Sequence, residues 1–332
     1  MIQEVKPGTD SNRYIPYNNR TGEESTVYFT RDLSAEGLRK IFERVNEPLT
    51  GKIAIKLHTG EKHGPNIIPR PWVKELIEND LPSAHIVETN TYYPGDRYTT
   101  EQHRETLEVN GWTFAPVDIT DEDGVANVPV KGGKWFTYMP MGKNLLNYDS
   151  LFVLTHFKGH AKGGFGGSAK NIGIGCADGR IGKAMIHTTP TSDDMWDISD
   201  EEFMERMMES AKAVCDMFDE RITFVNVMRN MSVSCDCEGT AAEPVVTPNV
   251  GILASRDILA LDQACVDLVY AMKDEDRAAL VERIESRHGL RQLTYMKELS
   301  MGNDRYQLID IDNEDAAISP EQAVEGVVPF NE

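Results

Sequence analysis

The sequence predicts an α/β fold in which helices flank a mostly parallel sheet. Short apolar runs alternate with amphipathic stretches over most of the chain, which is typical of alternating strands and helices. The chain has 332 residues, 40% of them apolar and 27% charged, so it can bury a large core. Because no repeat and no Ser/Gly-rich or Pro-rich linker divides it, we expect one α/β domain over residues 1–332, with an arrangement in two lobes as the alternative.

Seven short apolar runs are the predicted strands of this sheet. They cover residues 26–29, 53–57, 84–89, 113–117, 151–155, 222–227 and 251–254.

Helices are predicted between these strands. Ser34 is the expected N-cap of a helix over residues 34–46, and prolines open a second helix over residues 69–78. The capping box Ser199-Asp-Glu-Glu opens a third, over residues 199–219, whose apolar residues recur at helical spacing. Further helices are expected over residues 257–272, 278–287 and 290–300.

The chain is strongly acidic, since 54 Asp and Glu residues against 34 Lys and Arg give a net charge of -20. This charge argues against nucleic acid or an anionic membrane as the main partner, so we expect a small-molecule ligand. Residues 1–18 lack an apolar signal region, and no run approaches the roughly 20 apolar residues that span a bilayer. Five cysteines without the spacing of a disulfide scaffold indicate a reducing compartment. We therefore expect a cytoplasmic protein, and the sequence leaves its oligomeric state open.

A glycine-rich segment over residues 155–176 is the strongest sign of a functional site. It holds seven glycines, two histidines and three lysines, and it follows the predicted strand 151–155 directly. Open α/β sheets bind ligands at the carboxyl ends of their strands, and glycines let backbone N–H groups approach a ligand closely. We therefore expect a cradle for an anion or a cofactor. A structural turn with solvated lysines is the alternative.

Two residues of this segment are candidates for catalysis: His160 for proton transfer, and Lys170 as a nucleophile, a cofactor anchor or a phosphate contact. The segment does not end in the Gly-Lys-Ser/Thr of a P-loop, and Gly-x-Gly-x-x-Gly is absent from the first strand–helix turn, so the usual nucleotide motifs are not met. The expected ligand-binding residues of the segment are Lys158, Gly164, Gly166, Gly167 and Ser168.

Two further polar clusters follow predicted strands. His58, Lys62 and His63 come after the strand at 53–57. His58 is a second candidate for acid/base chemistry, and the other two are candidates for ligand binding. After the strand at 84–89, a turn at Pro94-Gly95 presents Arg97, which suits a carboxylate or a phosphate. The alternatives are hydrogen-bonded structural histidines and a surface turn with solvated charges.

A Cys-x-Cys sequence, Cys235-Asp-Cys237, follows the predicted strand at 222–227. Together with Cys176 these cysteines are candidate ligands of a soft metal, since thiolates bind zinc, copper and iron. Cys-x-Cys is not a usual zinc spacing, so structural or redox-inert thiols are the alternative.

These motifs together resemble the family of domain of unknown function 362. The resemblance covers residues 156–176, Lys56-Leu-His-Thr-Gly-Glu, Glu88-Thr-Asn-Thr-Tyr-Tyr-Pro-Gly-Asp-Arg, Cys235-Asp-Cys237 and residues 251–265. It implies an iron–sulfur protein, the description that members of the family often carry. The chain lacks the Cys-x-x-Cys-x-x-Cys insert of many members, and each four-iron cluster needs four thiolates, so classical ferredoxin clusters are not expected.

A more distant resemblance concerns the spacing of His160 and Lys170 around Gly164-Phe-Gly-Gly-Ser. It is similar to a pattern in lactate racemase and its relatives, with Gly166 in place of a serine. The resemblance implies a fold like the N-terminal, cofactor-binding domain of that family. It also implies a cofactor anchored by Lys170, with a transition metal or a nucleotide origin, and acid/base chemistry by His160.

The leading hypothesis is an enzyme, of isomerase or racemase type or an oxidoreductase, that binds an anionic small molecule or phosphate-bearing cofactor at the strand-end loops. His58, His160 and Lys170 would carry its proton-transfer chemistry. One alternative is a metal-binding or redox accessory protein that uses Cys176, Cys235 and Cys237, and another is a ligand-binding protein without catalysis. The substrate, the metal and the choice between His58 and His160 stay open.

Overall fold

A nine-stranded sheet organises the computed structural model, which describes residues 12–329. The strands of the chain are β1 (Glu24–Thr30), β2 (Ile53–Lys56), β3 (His85–Glu88), β4 (Val117–Ile119), β5 (Val125–Pro129), β6 (Tyr138–Gly142), β7 (Ser150–His156), β8 (Lys158–His160), β9 (Gly164–Gly166), β10 (Ile222–Met228), β11 (Gly251–Ser255), β12 (Arg305–Asp310) and β13 (Ala316–Ile318).

Helices pack on both faces of this sheet. They are α1 (Ala35–Phe42), α2 (Arg70–Asp80), α3 (Thr100–Val109), α4 (Ser168–Gly175), α5 (Gly182–His187), α6 (Asp200–Phe218), α7 (Ile258–Ala271), α8 (Asp274–Ser286), α9 (Arg291–Glu298) and α10 (Pro320–Ala323). In the part of the chain that the structure describes, none of the helices is both long and apolar enough to span a membrane.

The strand order in the sheet is β13-β12-β1-β11-β10-β7-β2-β3-β4. The run from β10 to β4 is parallel throughout, as is the pair β1–β12, whereas β11 and β13 are antiparallel to their neighbours. The predicted mostly parallel sheet flanked by helices is therefore confirmed. Two small hairpins, β5–β6 and β8–β9, lie outside this sheet.

The central strand β7 is buried along its whole length. Leu151 and Val153 pack into the core formed with α4, α6 and α7, whereas Phe152 and Leu154 pack into the core formed with α1 and α2. A strand covered on both faces needs apolar residues at every position, which is why residues 151–155 read as a continuous apolar run. The parallel neighbours β2, β3, β7 and β10 bring their carboxyl ends to one edge of the sheet.

The predicted strands and helices are largely confirmed, with one shifted strand and several unpredicted elements. Ser34 caps α1 by accepting a hydrogen bond from the backbone of Gly37, as expected. The strand predicted over residues 113–117 begins only at Val117, because Pro116 before it has no N–H for a ladder. Helix α3 was not predicted, and it is stabilised by a capping box between Thr99 and Gln102.

The glycine-rich segment differs most from its prediction as a loop, since it forms the hairpin β8–β9 and then helix α4. Gly167 at the N-cap offers no side chain, and Asp262 of α7 accepts instead from the backbone N–H groups of Ser168 and Ala169, at 2.8 and 2.9 Å. A Cβ on Gly167 would lie 2.4 Å from the Asp262 carboxylate, so the N-cap has to be glycine. The same carboxylate accepts from Asn226 of β10 at 2.8 Å. Asp262 therefore fixes the start of α4 against β10 and α7.

Replacing Asp262 by Ala removes the acceptor of three buried N–H groups. Because each buried donor left without a partner costs about 1 to 3 kcal/mol, we expect Asp262→Ala to lower the free energy of unfolding by about 3 kcal/mol or more. Urea unfolding followed by circular dichroism measures this change. The exposed residue Glu220 is the control, and Glu220→Ala should stay within about 0.5 kcal/mol of wild type. Equal stabilities of the two variants would contradict the role given to Asp262.

Candidate active site

A cavity of about 240 Å³ opens at the carboxyl edge of the sheet. Its walls come from the residues that follow β2 and β3, the end of β7, the hairpin β8–β9 and helices α4 and α5. Met195, Trp196, Cys237 and Glu238 complete the lining. The parallel pairing of β2, β3 and β7 is what brings these segments together, and α/β sheets commonly hold ligands at this edge.

Six cationic side chains line the cavity: Lys56, Arg97, Lys158, Lys162, Lys170 and Lys183. Four of them are ion-paired, and the N–O distances are 2.7 Å for Lys56–Glu88, 2.7 Å for Arg97–Glu61, 3.1 Å for Lys158–Asp236 and 2.9 Å for Lys162–Asp200. Although the chain has a net charge of -20, the cavity has more buried cations than carboxylates around it.

Lys170 and Lys183 are the two cavity cations that pair with no carboxylate among residues 12–329. The Nζ of Lys170 donates to the sulfur of Cys235 at 3.7 Å. The Nζ of Lys183 donates to the hydroxyl of Thr89 at 2.6 Å and to the backbone carbonyl of Asn90. Burial lowers the pKa of Lys183 to about 8, and the nearby Arg97 adds to this effect. Both amines are buried, so each would gain from an anionic partner in the cavity.

Glu88, at the end of β3, is the centre of a buried ion network. It accepts from Lys56 Nζ at 2.7 Å and from the backbone N–H of Thr59 at 2.9 Å, and Arg97 Nη1 lies 3.5 Å from its carboxylate. Burial opposes ionisation of Glu88, but Lys56 and Arg97 outweigh it and hold the pKa of that carboxyl well below its usual range. The network therefore ties the end of β2 to the end of β3 and fixes both cations in the wall.

The two histidines predicted as acid/base candidates both line the cavity. His160 Nδ1 accepts from the backbone N–H of Gly163 at 2.7 Å, and His58 Nδ1 accepts from that of Gly60 at 2.9 Å. Burial lowers the pKa of each, and Lys170 contributes at His160. Both rings are therefore neutral at neutral pH. Because Nδ1 of His160 accepts, its proton lies on Nε2.

His160, Cys235 and Cys237 are the described side chains whose ligand atoms come close enough to hold one metal ion, within 4.8 Å of one another. Their arrangement fits a metal poorly. The lone pair of His160 Nδ1 faces two backbone N–H groups and Nε2 carries the proton, so neither nitrogen is free to bind a cation. The ammonium group of Lys170 also lies 3.7 Å from the Cys235 sulfur. Two thiolates cannot hold a four-iron cluster, which takes four.

The structure brings most of the predicted site residues to this cavity. The lining contains His58, Arg97, Lys158, His160, Gly167, Lys170 and Cys237, and the buried Cys235 lies directly behind it. Cys176 is not part of the group formed by the other two predicted metal ligands; it is buried near Lys56, and burial raises its pKa to about 12.

Five other predicted ligand-binding residues lie outside the cavity lining. Lys62 pairs with Glu105 at 2.9 Å, and His63 is exposed. Gly164 has a φ of 76° and packs so tightly that a Cβ would come within 2.8 Å of Gly289. Gly166 also lies outside the lining, and the hydroxyl of Ser168 donates to Asn226. Several of the glycines thus serve close packing of the chain on itself rather than approach to a ligand.

Sequence reasoning missed Lys183 and the apolar side of the cavity. Lys183 belongs to no motif, and only the fold shows that it reaches the same cavity as Lys170. Ile174, Met195 and Trp196 provide apolar surface there, together with Tyr92, whose ring stacks near that of His187. No sequence signal marks the segment that carries Met195 and Trp196, since it forms neither a helix nor a strand.

Solved structures that are similar to this chain include the following two. The lactate racemase apoprotein from Thermoanaerobacterium thermosaccharolyticum aligns with 87% of this chain and 84% of its own, at 11% identity and a TM-score of 0.39. A protein from Thermotoga maritima aligns with 77% of this chain and 57% of its own, at 14% identity and a TM-score of 0.39. No curated protein sequence matches the chain.

The family assignment comes from the sequence itself. The model of the domain of unknown function DUF362 matches residues 53–267, from the start of β2 into α7. This stretch carries every residue of the cavity lining, including Lys170 and Lys183, and it also contains the buried Cys235 behind the lining. Since the match spans well over half of the chain, the protein belongs to the DUF362 family.

Proposed function

We propose that the protein is an enzyme that binds a small dianionic molecule, or a phosphate-bearing cofactor, in the cavity and transfers a proton on it. The observation that carries this proposal is the presence of Lys170 and Lys183 as two buried cations without a carboxylate partner among the described residues. A dianionic group between them would accept a charge-assisted hydrogen bond from each amine. We also propose that residues 1–332 form one domain, because β1 and β12, from opposite ends of the chain, pair in the same sheet.

The physical argument is the cost of burying charge. A buried ammonium group without an anionic partner loses much of its hydration energy, and natural proteins rarely leave one in that state without a ligand to pair with it. The other four cations of the cavity already have carboxylates, so the surplus positive charge is confined to the α4 and α5 side. Charge-assisted hydrogen bonds from two amines would select a phosphate or a dicarboxylate over a neutral molecule.

The apolar residues of the lining support an organic ligand rather than an inorganic ion. Tyr92, Ile174, Met195 and Trp196 offer apolar and aromatic surface facing the same space. Ligand pockets typically combine such a wall with a few convergent polar groups. His160 is our candidate for the proton transfer, and His58 is the alternative.

Replacing either unpaired lysine should weaken anion binding. We expect Lys170→Met and Lys183→Met each to reduce the affinity for sulfate by roughly 10- to 100-fold, because each removes a charge-assisted contact of about 1.5 to 3 kcal/mol. Isothermal titration calorimetry measures the affinity, and circular dichroism verifies folding. The exposed Lys131 is the matched control, and Lys131→Met should bind as wild type does. Wild-type affinity in both cavity variants would refute the proposal.

Sulfate binding should also depend on pH through Lys183. Burial and Arg97 lower its pKa to about 8, with Lys56 adding and Asp121 and Glu88 opposing. Raising the pH from one unit below this value to one unit above removes the charge, so the affinity should fall about tenfold as the binding-competent fraction falls. Calorimetric titrations of wild type and Lys183→Met across this range test the point. The affinity of the variant should lack this part of the pH dependence. If affinity falls with pH equally steeply in both proteins, the role given to Lys183 is wrong.

A further inference from the structure

We propose that Cys235 and Cys237 form a reversible dithiol–disulfide couple at the edge of the cavity, oxidised by hydroperoxides, and that its oxidation frees Lys170 to bind the anion. The second half of this inference rests on the proposed function. The first half stands on the placement of the two sulfurs.

The two sulfurs are close together but differ in access. They lie within 4.8 Å of each other and of a ring nitrogen of His160. Cys237 is partly exposed and lines the cavity, whereas Cys235 is fully buried behind it. An oxidant that enters the cavity therefore meets Cys237 first, and Cys235 is in position to close the bond.

The surroundings of Cys235 favour a thiolate. Its sulfur accepts from the backbone N–H of Cys237 at 3.4 Å and from Lys170 Nζ at 3.7 Å. Burial opposes ionisation, but a hydrogen bond from the thiol of Cys237 together with Lys170 and His160 lowers the pKa of Cys235 well below its usual value. The same hydrogen bond, with burial, raises the pKa of Cys237. The two sulfurs thus share one proton, as expected for a reactive pair rather than for inert thiols.

The backbone permits closure of the ring. Cys235 is extended, with φ of -88° and ψ of 153°, and it caps the short 3-10 helix Asp236–Ala241 that contains Cys237. This helix already kinks at Gly239, where φ is 56°. Bringing the sulfurs to the roughly 2.05 Å of a disulfide requires rearrangement of one short turn, and no strand of the sheet has to move.

The oxidation balances as follows. When the shared proton lies on Cys235, the Cys237 thiolate attacks the terminal oxygen of a hydroperoxide; the O–O bond breaks, and the alkoxide takes the Cys235 proton and leaves as an alcohol. The Cys235 thiolate then attacks the sulfenic acid of Cys237; the S–S bond forms, the S–O bond breaks, and the hydroxide takes a proton from solvent and leaves as water. The two sulfurs supply two electrons to the peroxide. Two equivalents of a small thiol reverse the step and become its disulfide.

Oxidation changes the charge next to Lys170. Among residues 12–329, the hydrogen-bond acceptor of its amine is the Cys235 sulfur. A disulfide carries no negative charge, so the ammonium group loses this partner and becomes available to an anion in the cavity. The oxidised protein should therefore bind sulfate more tightly than the reduced protein.

The first test is disulfide mapping. Wild-type protein treated with one equivalent of hydrogen peroxide should lose two hydrogen atoms in its intact mass, with the bond mapped to the peptide that contains Cys235 and Cys237, and dithiothreitol should reverse the change. Cys235→Ser and Cys237→Ser should each abolish it. Cys215→Ser should retain it, because Cys215 is a partly buried thiol outside the group. Oxidation of folded wild type to a sulfinic or sulfonic acid without this disulfide would overturn the inference.

The second test compares sulfate affinity by calorimetry in the reduced and oxidised wild type. We expect about tenfold tighter binding after oxidation, the size of one charge-assisted contact. A mapped disulfide with unchanged, measurable affinity would overturn the link to Lys170 and leave the proposed function standing. A mapped disulfide with no sulfate binding in either state would instead refute the proposed function.

Discussion

The excess of buried cations over carboxylates at the carboxyl edge of the sheet is the constraint on which the site depends. Four cation–carboxylate pairs build the wall, and Glu88 is central because it joins Lys56 to Arg97 between β2 and β3. Within this wall the remaining positive charge is concentrated at Lys170 and Lys183. A low-dielectric setting strengthens the attraction of such charges for an anion, so the same burial that costs stability would favour the anionic ligand that we propose.

Residues far along the chain hold helix α4, and with it Lys170, in position. Asp262 holds its first turn, Asn226 of β10 joins the same carboxylate, and Gly167 leaves room for it. Gly159 has a similar role, because a Cβ there would lie 2.3 Å from the carbonyl of Val233, so the hairpin β8–β9 can press against the chain that leads to Cys235. Lys170, His160 and the two cysteines meet because of these two close approaches.

The sequence allows the sheet and most of the cavity to be predicted, because apolar runs end where the polar residues begin. His58, Arg97, His160 and Lys170 were found in this way. Helix α4 was not predicted, because a glycine-rich stretch has a low helix propensity. The residue that stabilises its first turn, Asp262, lies far along the chain and gives no local signal. The sequence also shows no sign that Lys183 lacks a carboxylate partner among residues 12–329, since this is a property of the packed fold and not of a local pattern.

The most direct test of the central claim is to locate an anion in the cavity. Crystals soaked in selenate, a dianion with a strong anomalous signal, should show a selenium peak between the amines of Lys170 and Lys183, and the peak should vanish in crystals of the Lys170→Met, Lys183→Met double variant. Selenium peaks only at surface sites, with an occupied surface proving that the soak worked, would contradict the account.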